Sequence, residues 1–365
     1  MNKKKLFAIS AFLTVTTIVN AHSQNVQFGK PITTPVTITS SKDKTLLNSK
    51  KEVTLIPIQL TEKQKQIFLN FKNKKGLIKS TTSSLPATVD LGMNNVPVLN
   101  QGYHGSCVTF ALTAAIDAAL GKGDYISQLC QLELGSYLQY KGYLMSGWSG
   151  TWARQVYDQM LRFGIVSKKD IQKMQGCAGV KEYPVKSLNE GNIMTPEEYR
   201  YVSEDISEFI YPLTHMDIIG RLENGENQEV VERTFNNIKT ALAKGDRITF
   251  GTILMLVMNP DCEAGACVTY KGKHDTWALS NEVENGGAMP AGHAMIITGY
   301  DDNATVTEKN GKSHKGLFML RNSWGADVGD KGNYYMTYEY FKQFFLEAHE
   351  VVVNKDDNSI AYTNK

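Results

Sequence analysis

The sequence predicts an α+β fold of two halves that pack against each other across a cleft. Helical periodicity dominates residues 107–245, whereas runs typical of strands dominate residues 247–353. Helices gathered before strands favour separate helical and β layers over alternating βα units. With 365 residues, 42% of them hydrophobic, the chain can bury one large core or two smaller ones around the cleft.

The N-terminus has the three parts of a secretory signal peptide. Lys3, Lys4 and Lys5 precede an apolar run at residues 6–19, and small residues follow up to Ala21. We therefore expect cleavage after Ala21 and a soluble, secreted protein, with the periplasm as the alternative location. No later segment approaches ~18 uninterrupted apolar residues, so we expect no stable membrane anchor. A net charge of +2 from 39 basic and 37 acidic residues argues against nucleic acid as a partner.

Residues 22–84 differ in composition from the rest of the chain, because Thr, Ser and Lys dominate and cysteine is absent. A strand-like run at 53–58 precedes one helix, for which Thr61 and Gln64 form a capping box. The apolar face of that helix consists of Ile67, Phe68 and Phe71. This face suits docking on a larger body but is too small for a core. Since a polar linker follows at 79–84, we predict a removable pro-segment that covers a cleft; a permanent small subdomain is the alternative.

A cysteine lies where a glycine-broken loop meets a helix. Residues 107–120 hold no glycine or proline, are apolar on almost every face and stop at Gly121. A helix N-terminus stabilises an anion, so the thiol of Cys107 should ionise more easily than a free cysteine. Gln101 offers a side-chain N–H donor six residues earlier. The pattern favours a nucleophile with its oxyanion donor, while a small core residue is the alternative.

Further helices and strands follow in order. We predict helices at 129–140, from the turn at 147–152 through Arg162, from Thr195 through Phe209 with Pro212 ending it, and one bearing Val231, Phe235, Ile238 and Leu242 that closes at Gly245. The predicted strands are 247–257, 292–300, 316–321, 333–338 and 348–353. Bare glycines beside tryptophans at 147–152 indicate a ligand surface or, equally, an ordinary turn with core aromatics.

The expected export favours disulfides among the five cysteines, because an oxidising compartment pairs structural thiols. Cys262 and Cys267 flank a short loop that a disulfide can close, and Cys130 and Cys177 bracket a segment between two predicted helices. These pairings leave Cys107 free. A zinc site is the alternative, although no CxxC or HxxxH pair lies near any of them.

A histidine and an asparagine should meet across a hairpin. His293 opens one predicted strand, Asn322 closes the next, and a turn-rich loop joins the two strands. Antiparallel pairing would bring the two residues to the same end of the sheet. There an asparagine amide can hold an imidazole in one tautomer, although a lone strand histidine is more often structural.

Four blocks together resemble the signatures of papain-like cysteine peptidases: Gln101, Gly105-Ser106-Cys107, Gly292-His293-Ala294 and Asn322-Ser323-Trp324-Gly325. The resemblance runs from Leu85 to about Val353 and implies a papain-like α+β fold. One half is helical with its central helix starting at the nucleophile, and the other is an antiparallel, β-barrel-like half. The resemblance, together with the expected signal peptide and linker, divides the chain into a signal peptide (1–21), a pro-segment (22–84) and a peptidase domain (85–365).

The resemblance also assigns roles. Cys107 would be the nucleophile, His293 the base and then the acid, Asn322 the residue that orients it, and Gln101 with the Cys107 backbone N–H the oxyanion hole. Gly105, Gly150 and Trp324 would border the substrate, and Trp324 would also shield the imidazole from water.

Four positions depart from the family pattern. The usual cysteine three residues before the nucleophile is His104, and its partner position is Trp148, so the family's disulfide there is missing. Val108 and Val328 stand where aromatic residues are usual. The spacing from Cys107 to His293 is 293 − 107 = 186 residues, against roughly 130 in the family. We place the additional residues largely in 167–230 and 259–290.

The resemblance thus implies a secreted, monomeric cysteine endopeptidase that is made as a zymogen. It would hydrolyse polypeptides through an acyl-enzyme, would need no metal or organic cofactor, and would be inhibited by its own pro-segment. An aminopeptidase, transpeptidase or amidase of the same chemistry is one alternative. A non-catalytic peptide-binding module that keeps the cleft is another.

Overall fold

A computed structural model describes residues 26–71, 85–224, 227–285 and 288–354. The expected signal peptide at 1–21 and the expected linker at 79–84 lie outside the described residues. No helix in the described ranges is long and apolar enough to cross a membrane.

From Cys107 onward helices come first and strands second, as predicted, except for the strand Ile210–Met216 and the short helices Asn281–Asn285 and Tyr338–Phe344. Four of the described strands precede Cys107. The helices are α1 Glu62–Leu69, α2 Cys107–Leu120, α3 Gln128–Tyr140, α4 Ala153–Phe163, α5 Lys168–Met174, α6 Pro196–Val202, α7 Ile218–Asn224, α8 Gln228–Lys244, α9 Asn281–Asn285 and α10 Tyr338–Phe344. The strands are β1 Gln27–Phe28, β2 Ile32–Thr37, β3 Lys50–Gln59, β4 Thr88–Asp90, β5 Ile210–Met216, β6 Arg247–Leu256, β7 Thr276–Trp277, β8 Met289–Thr307, β9 Ser313–Arg321, β10 Asn333–Thr337 and β11 Phe345–Val353.

The central helix α2 has the predicted bounds. It begins at Cys107, runs without a glycine or proline, and ends at Gly121, whose φ of 65° is the left-handed conformation that glycine adopts easily. Its side chains are buried against α4 and against Ala294 and Ile296 of β8. The start of α2 is therefore held at the junction of the helical half and the sheet half.

The sheet half is open along its main path, in keeping with the predicted α+β fold. The strand order is β5-β11-β6-β8-β9-β10-β7, with β3 and β4 pairing on β8. The pairs are antiparallel except for β10 with β7. The 19-residue β8 is the centre, because its successive parts pair with β3, β4, β6 and β9.

The helix predicted from Thr195 through Phe209 is shorter than expected. It starts at a capping box formed by Thr195 and Glu198, but α6 ends at Val202. Glu204 then exchanges two backbone hydrogen bonds with Ile165, which draws the chain out of helical geometry. Pro212, expected to end the helix, lies in β5, an edge strand, where the missing N–H of proline needs no partner.

Cysteine pairing agrees with the expectation. The Cα atoms of Cys130 and Cys177 lie 5.3 Å apart and those of Cys262 and Cys267 lie 4.1 Å apart, and both pairs form disulfides. Cys107 is the free cysteine of the five. A thiol is therefore available at the start of α2.

Candidate active site

Cys107 lies in a buried position where α2 meets β8. Ser106, which precedes it, has non-helical backbone angles, so the first N–H groups of α2 have no partner within the helix. The backbone N–H groups of Ala294, Val108 and Cys107 itself lie near the sulfur and favour its charged form. The predicted helix-end environment of the thiol is present.

His293 and Asn322 meet across the β8–β9 hairpin, as predicted. Nε2 of His293 lies 2.8 Å from Oδ1 of Asn322. The same Oδ1 accepts the backbone N–H of Ser323 at 2.7 Å, which identifies the oxygen end of the amide. Nε2 must therefore carry the proton, and Nδ1 has its lone pair free. Nδ1 is buried without a hydrogen-bond partner among the described residues. It can therefore accept the proton of a thiol, and His293 lines the same small cavity as Cys107.

Trp324 covers the imidazole. Its ring is stacked on His293, with centroids 4.7 Å apart and planes 26° apart. Trp277 and Tyr334 pack edge-on against the other parts of the indole, and Trp324 is almost fully buried. This packing keeps water from the hydrogen bond between His293 and Asn322, in the position that the resemblance implies.

Gln101 is fixed at both ends of its amide. Its Oε1 accepts the hydroxyl of Ser323 at 2.7 Å, and its Nε2 donates to the carbonyl of His104 at 2.9 Å. Nε2 carries two hydrogens, so one N–H remains for a substrate oxygen. Ser323 thus joins Gln101 to Asn322, because it also donates its backbone N–H to the asparagine. No pattern in the sequence predicts that bridging role.

The two glycines assigned to substrate binding lie side by side. The N–H of Gly150 donates to the carbonyl of Gly105 at 3.1 Å. A Cβ at Gly105 would collide with Ile56, and one at Gly150 would lie 3.0 Å from the ring of Phe28. The bare backbone predicted for a substrate is therefore in contact with residues of the chain's own N-terminal segment.

Burial makes both reactive groups neutral in this covered state. Burial raises the pKa of Cys107 to about 11, and the negative charge of Glu347 adds to the rise. Burial lowers the pKa of His293 to about 4, against a smaller opposing effect of the bond to Asn322. Between those two values the pair is a thiol and a neutral imidazole, not an ion pair.

Glu347 is a residue of this site that the sequence did not reveal. Its side chain is buried and lines the cavity together with Cys107 and His293. Oε1 accepts the backbone N–H of Ala153 at 3.0 Å, and Oε2 lies 3.3 Å from His349. An acidic residue at the start of a strand is an ordinary pattern, so only the fold identifies its position.

His104 and Trp148, the positions of the missing family disulfide, are neighbours. Their ring centroids are 4.7 Å apart and the planes make an angle of 64°. An edge-to-face pair of this kind stabilises the contact by about 0.5–1.5 kcal/mol beyond its buried area. Two loops that border the nucleophile are thus joined by aromatic packing.

A buried thiol and an imidazole that an asparagine orients lie together at the junction of a helical half and a sheet half, which is the arrangement that the resemblance to papain-like cysteine peptidases implies. Residues 280–362, a range that holds His293 and Asn322, match the Peptidase C1-like family. Aminopeptidase C of Lactobacillus helveticus is 25% identical over 188 residues, which are 45% of this chain and 39% of that protein. The chain thus spans about two fifths of the length of this curated relative. The chain is thus similar to papain-like cysteine peptidases, as the four blocks predicted.

Two solved structures are similar to this chain at lower sequence identity. Xylellain, a cysteine protease from Xylella fastidiosa, aligns with 76% of this chain and 90% of its own at 19% identity and a TM-score of 0.48. The proform of the Amb a 11 cysteine protease, a ragweed pollen allergen, aligns with 77% of this chain and 69% of its own, at 16% identity and a TM-score of 0.42. Neither similarity is strong enough to bear on activity.

Proposed function

We propose that this chain is an exported cysteine endopeptidase that is made as a zymogen, with residues 22–84 as its inhibitory pro-segment. The observation that carries the proposal is a free thiol and an oriented imidazole that line one cavity beneath the chain's own N-terminal segment. Residues 1–21 would direct export, and residues 85–365 would form the peptidase.

The geometry supports a two-step acyl transfer. Nδ1 of His293 takes the proton of Cys107, and the sulfur forms a bond to the carbonyl carbon of the substrate. The carbonyl oxygen becomes negative and accepts the free N–H of Gln101 and the backbone N–H of Cys107. His293 returns its proton to the amine as the carbon–nitrogen bond breaks. Water, deprotonated by His293, then releases the acid and restores the thiol.

Residues 26–59 support the zymogen part of the proposal, because they occupy the cleft. β3 pairs antiparallel with β8 at Ile56 opposite Gly292, directly before the catalytic His293. The side chain of Ile56 contacts Gly105, and Phe28 lies over Gly150. A segment in this position excludes a substrate from both glycines, and its apolar side chains withdraw the reactive pair from water.

An aminopeptidase is the second candidate, and the similarity to Aminopeptidase C favours it. The two activities differ in one requirement, since an aminopeptidase must recognise a free amino terminus. Paired peptides of one sequence, with free or acetylated N-termini, separate them. We expect cleavage of both peptides. Cleavage of the free peptide alone would establish the aminopeptidase, and transfer to an added amine would indicate a transpeptidase.

The test of the active site is Cys107→Ala, compared with Leu112→Ala on the same helix. Loss of the sulfur should abolish hydrolysis and leave secretion and folding intact, since the cavity left is small. Leu112 is fully buried, so its truncation should reduce stability by about 2–5 kcal/mol while the folded fraction keeps its turnover. Turnover by the Cys107→Ala protein would instead favour the binding module or a different site.

A further inference from the structure

Tyr183 packs against the loop at residues 101–107, which carries the proposed oxyanion donors. It belongs to the connection between α5 and α6, within the range where the chain is longer than the family pattern. The carbonyl of the adjacent Pro184 lies 3.1 Å from Nε2 of His104, and a Cβ at Gly102 would collide with the backbone of Val185. Residues 183–185 therefore pack directly on the stretch that leads from Gln101 to the nucleophile.

The hydroxyl of Tyr183 bridges the two ends of that stretch. It donates to the backbone carbonyl of Gln101 at 2.8 Å and lies 2.8 Å from the hydroxyl of Ser106. A phenol has a single hydrogen, so Ser106 must be the donor in the second bond. Burial raises the pKa of Tyr183 well above its ordinary value, so the hydroxyl keeps that hydrogen.

The ring of Tyr183 is held by three aromatic neighbours. It stacks on Trp148 with centroids 5.6 Å apart and planes 11° apart. It also makes edge contacts with His104 at 5.5 Å and with Phe110 at 4.9 Å. These contacts fix the direction of the hydroxyl, and they do not depend on its oxygen.

The bridged residues carry the two donors of the oxyanion hole. Gln101 supplies the side-chain N–H, and Ser106 immediately precedes the N–H of Cys107. We infer that Tyr183 is a positioning residue that fixes the spacing between these two donors. The inference rests on the proposed acyl-transfer function, because only a developing oxyanion needs both donors at once.

The test compares Tyr183→Phe with wild type, both matured from the full chain. The substitution keeps the ring and removes the bridge. We expect kcat to fall roughly 5- to 30-fold, less than the ~10²–10³-fold loss for removal of one donor, because both donors remain but are less well placed. KM should stay within about twofold, since the substrate-binding glycines are untouched.

Alkylation of Cys107 separates this role from a structural one. Iodoacetamide reacts with the thiolate and needs no oxyanion hole, so its rate and pH profile should be unchanged in the Tyr183→Phe protein. Tyr199→Phe is the matched control, because that buried hydroxyl bonds Gly164 and Gln131 away from the site. It should lower Tm by a similar amount and leave kcat unchanged.

A double-substitution cycle with Gln101→Ala completes the test. With one donor already gone, Tyr183→Phe should reduce kcat less than twofold further. An unchanged kcat in Tyr183→Phe alone, a parallel loss of alkylation, or full additivity with Gln101→Ala would overturn the positioning role. Failure of the proposed function looks different, because wild type itself would then lack turnover.

Discussion

Glu263 fastens the N-terminal segment to the sheet half, so Glu263→Gln should open the cleft. Its carboxylate is buried and accepts both the backbone N–H and the hydroxyl of Thr37, and Nζ of Lys50 lies 2.6 Å away. The Cys262–Cys267 disulfide closes the loop that presents it. One buried acid thus contacts both β2 and β3 of the segment that covers Cys107.

The expected loss of docking free energy follows from the hydrogen bonds that Glu263→Gln weakens. Hydrogen bonds to a charged group stabilise by about 1.5–3 kcal/mol, and a glutamine offers one neutral acceptor in place of two charged ones. Lys50 is half exposed, so solvent screens its share and the bonds from Thr37 carry most of the effect. We expect a loss of about 1.5–3 kcal/mol in docking free energy, which corresponds to a roughly 10- to 150-fold larger open fraction.

The assay is the rate at which iodoacetamide labels Cys107 in the intact, unprocessed chain. The thiol is buried, so labelling requires opening and its rate scales with the open fraction. Glu308→Gln is the matched control, since Glu308 is also buried but bonds His314 and Asn310, away from the segment. The control should leave labelling unchanged even if it lowers Tm. Equal labelling of the Glu263→Gln and wild-type chains would refute the role of Glu263.

The pH dependence of the labelling rate of the Glu263→Gln chain, divided by that of the wild-type chain, supplies a second check. Burial alone would raise the pKa of Glu263, but the bonds from Lys50 and Thr37 outweigh it, so the docked pKa is lowered. Its contribution to docking is therefore full above the ordinary glutamate pKa of ~4.3 and is lost as pH falls through the docked value. The ratio of variant to wild-type labelling should be large at pH 7 and should approach one in more acidic solution. His274, 4.0 Å away, faces the same carboxylate and must be kept in both chains.

Two further predictions concern the segment and the thiol. A chain that begins near Leu85 should be active and should be inhibited by added 22–84 peptide; no inhibition by excess peptide would favour a permanent subdomain. After removal of 22–84, iodoacetamide without reductant should add one label at Cys107 in mildly acidic solution, because a neighbouring imidazolium stabilises thiolate below the ~8.5 of a free cysteine. His293→Ala should slow that labelling more at acid than at alkaline pH, and indifference to His293 would favour the binding module.

The parts of the fold that the sequence predicts well depend on local signals. α2 has a glycine at its end and an uninterrupted apolar run, so both bounds follow from residues within it. His293 and Asn322 are 29 residues apart in sequence, but the turn residues between their strands predict an antiparallel hairpin, and the hairpin brings the two residues together. The capping box at Thr61 predicts the start of α1 in the same way.

The parts that the sequence missed depend on contacts between distant segments. Glu347 enters the site because β11 lies beside β6, and Tyr183 reaches Gln101 across 82 residues of chain. The end of α6 at Val202 reflects a backbone pairing between Ile165 and Glu204 that no periodicity encodes. A long-range partner can override helical propensity, which is a weak preference per residue.

In the proposed zymogen, covering the cleft and neutralising Cys107 and His293 are one physical event. Burial raises the pKa of the thiol and lowers the pKa of the imidazole, and Phe28, Ile56 and Ile58 of the segment line the cavity that holds both groups. The neutral pair and the thiolate–imidazolium pair hold the same number of protons, so docking takes up a proton only above the pH at which the uncovered pair loses its last one. Inhibition by the 22–84 peptide should therefore weaken as the pH rises above the upper pKa of the uncovered pair, because docking must then return a proton to Cys107. Equal inhibition at neutral and at alkaline pH would contradict this effect of burial.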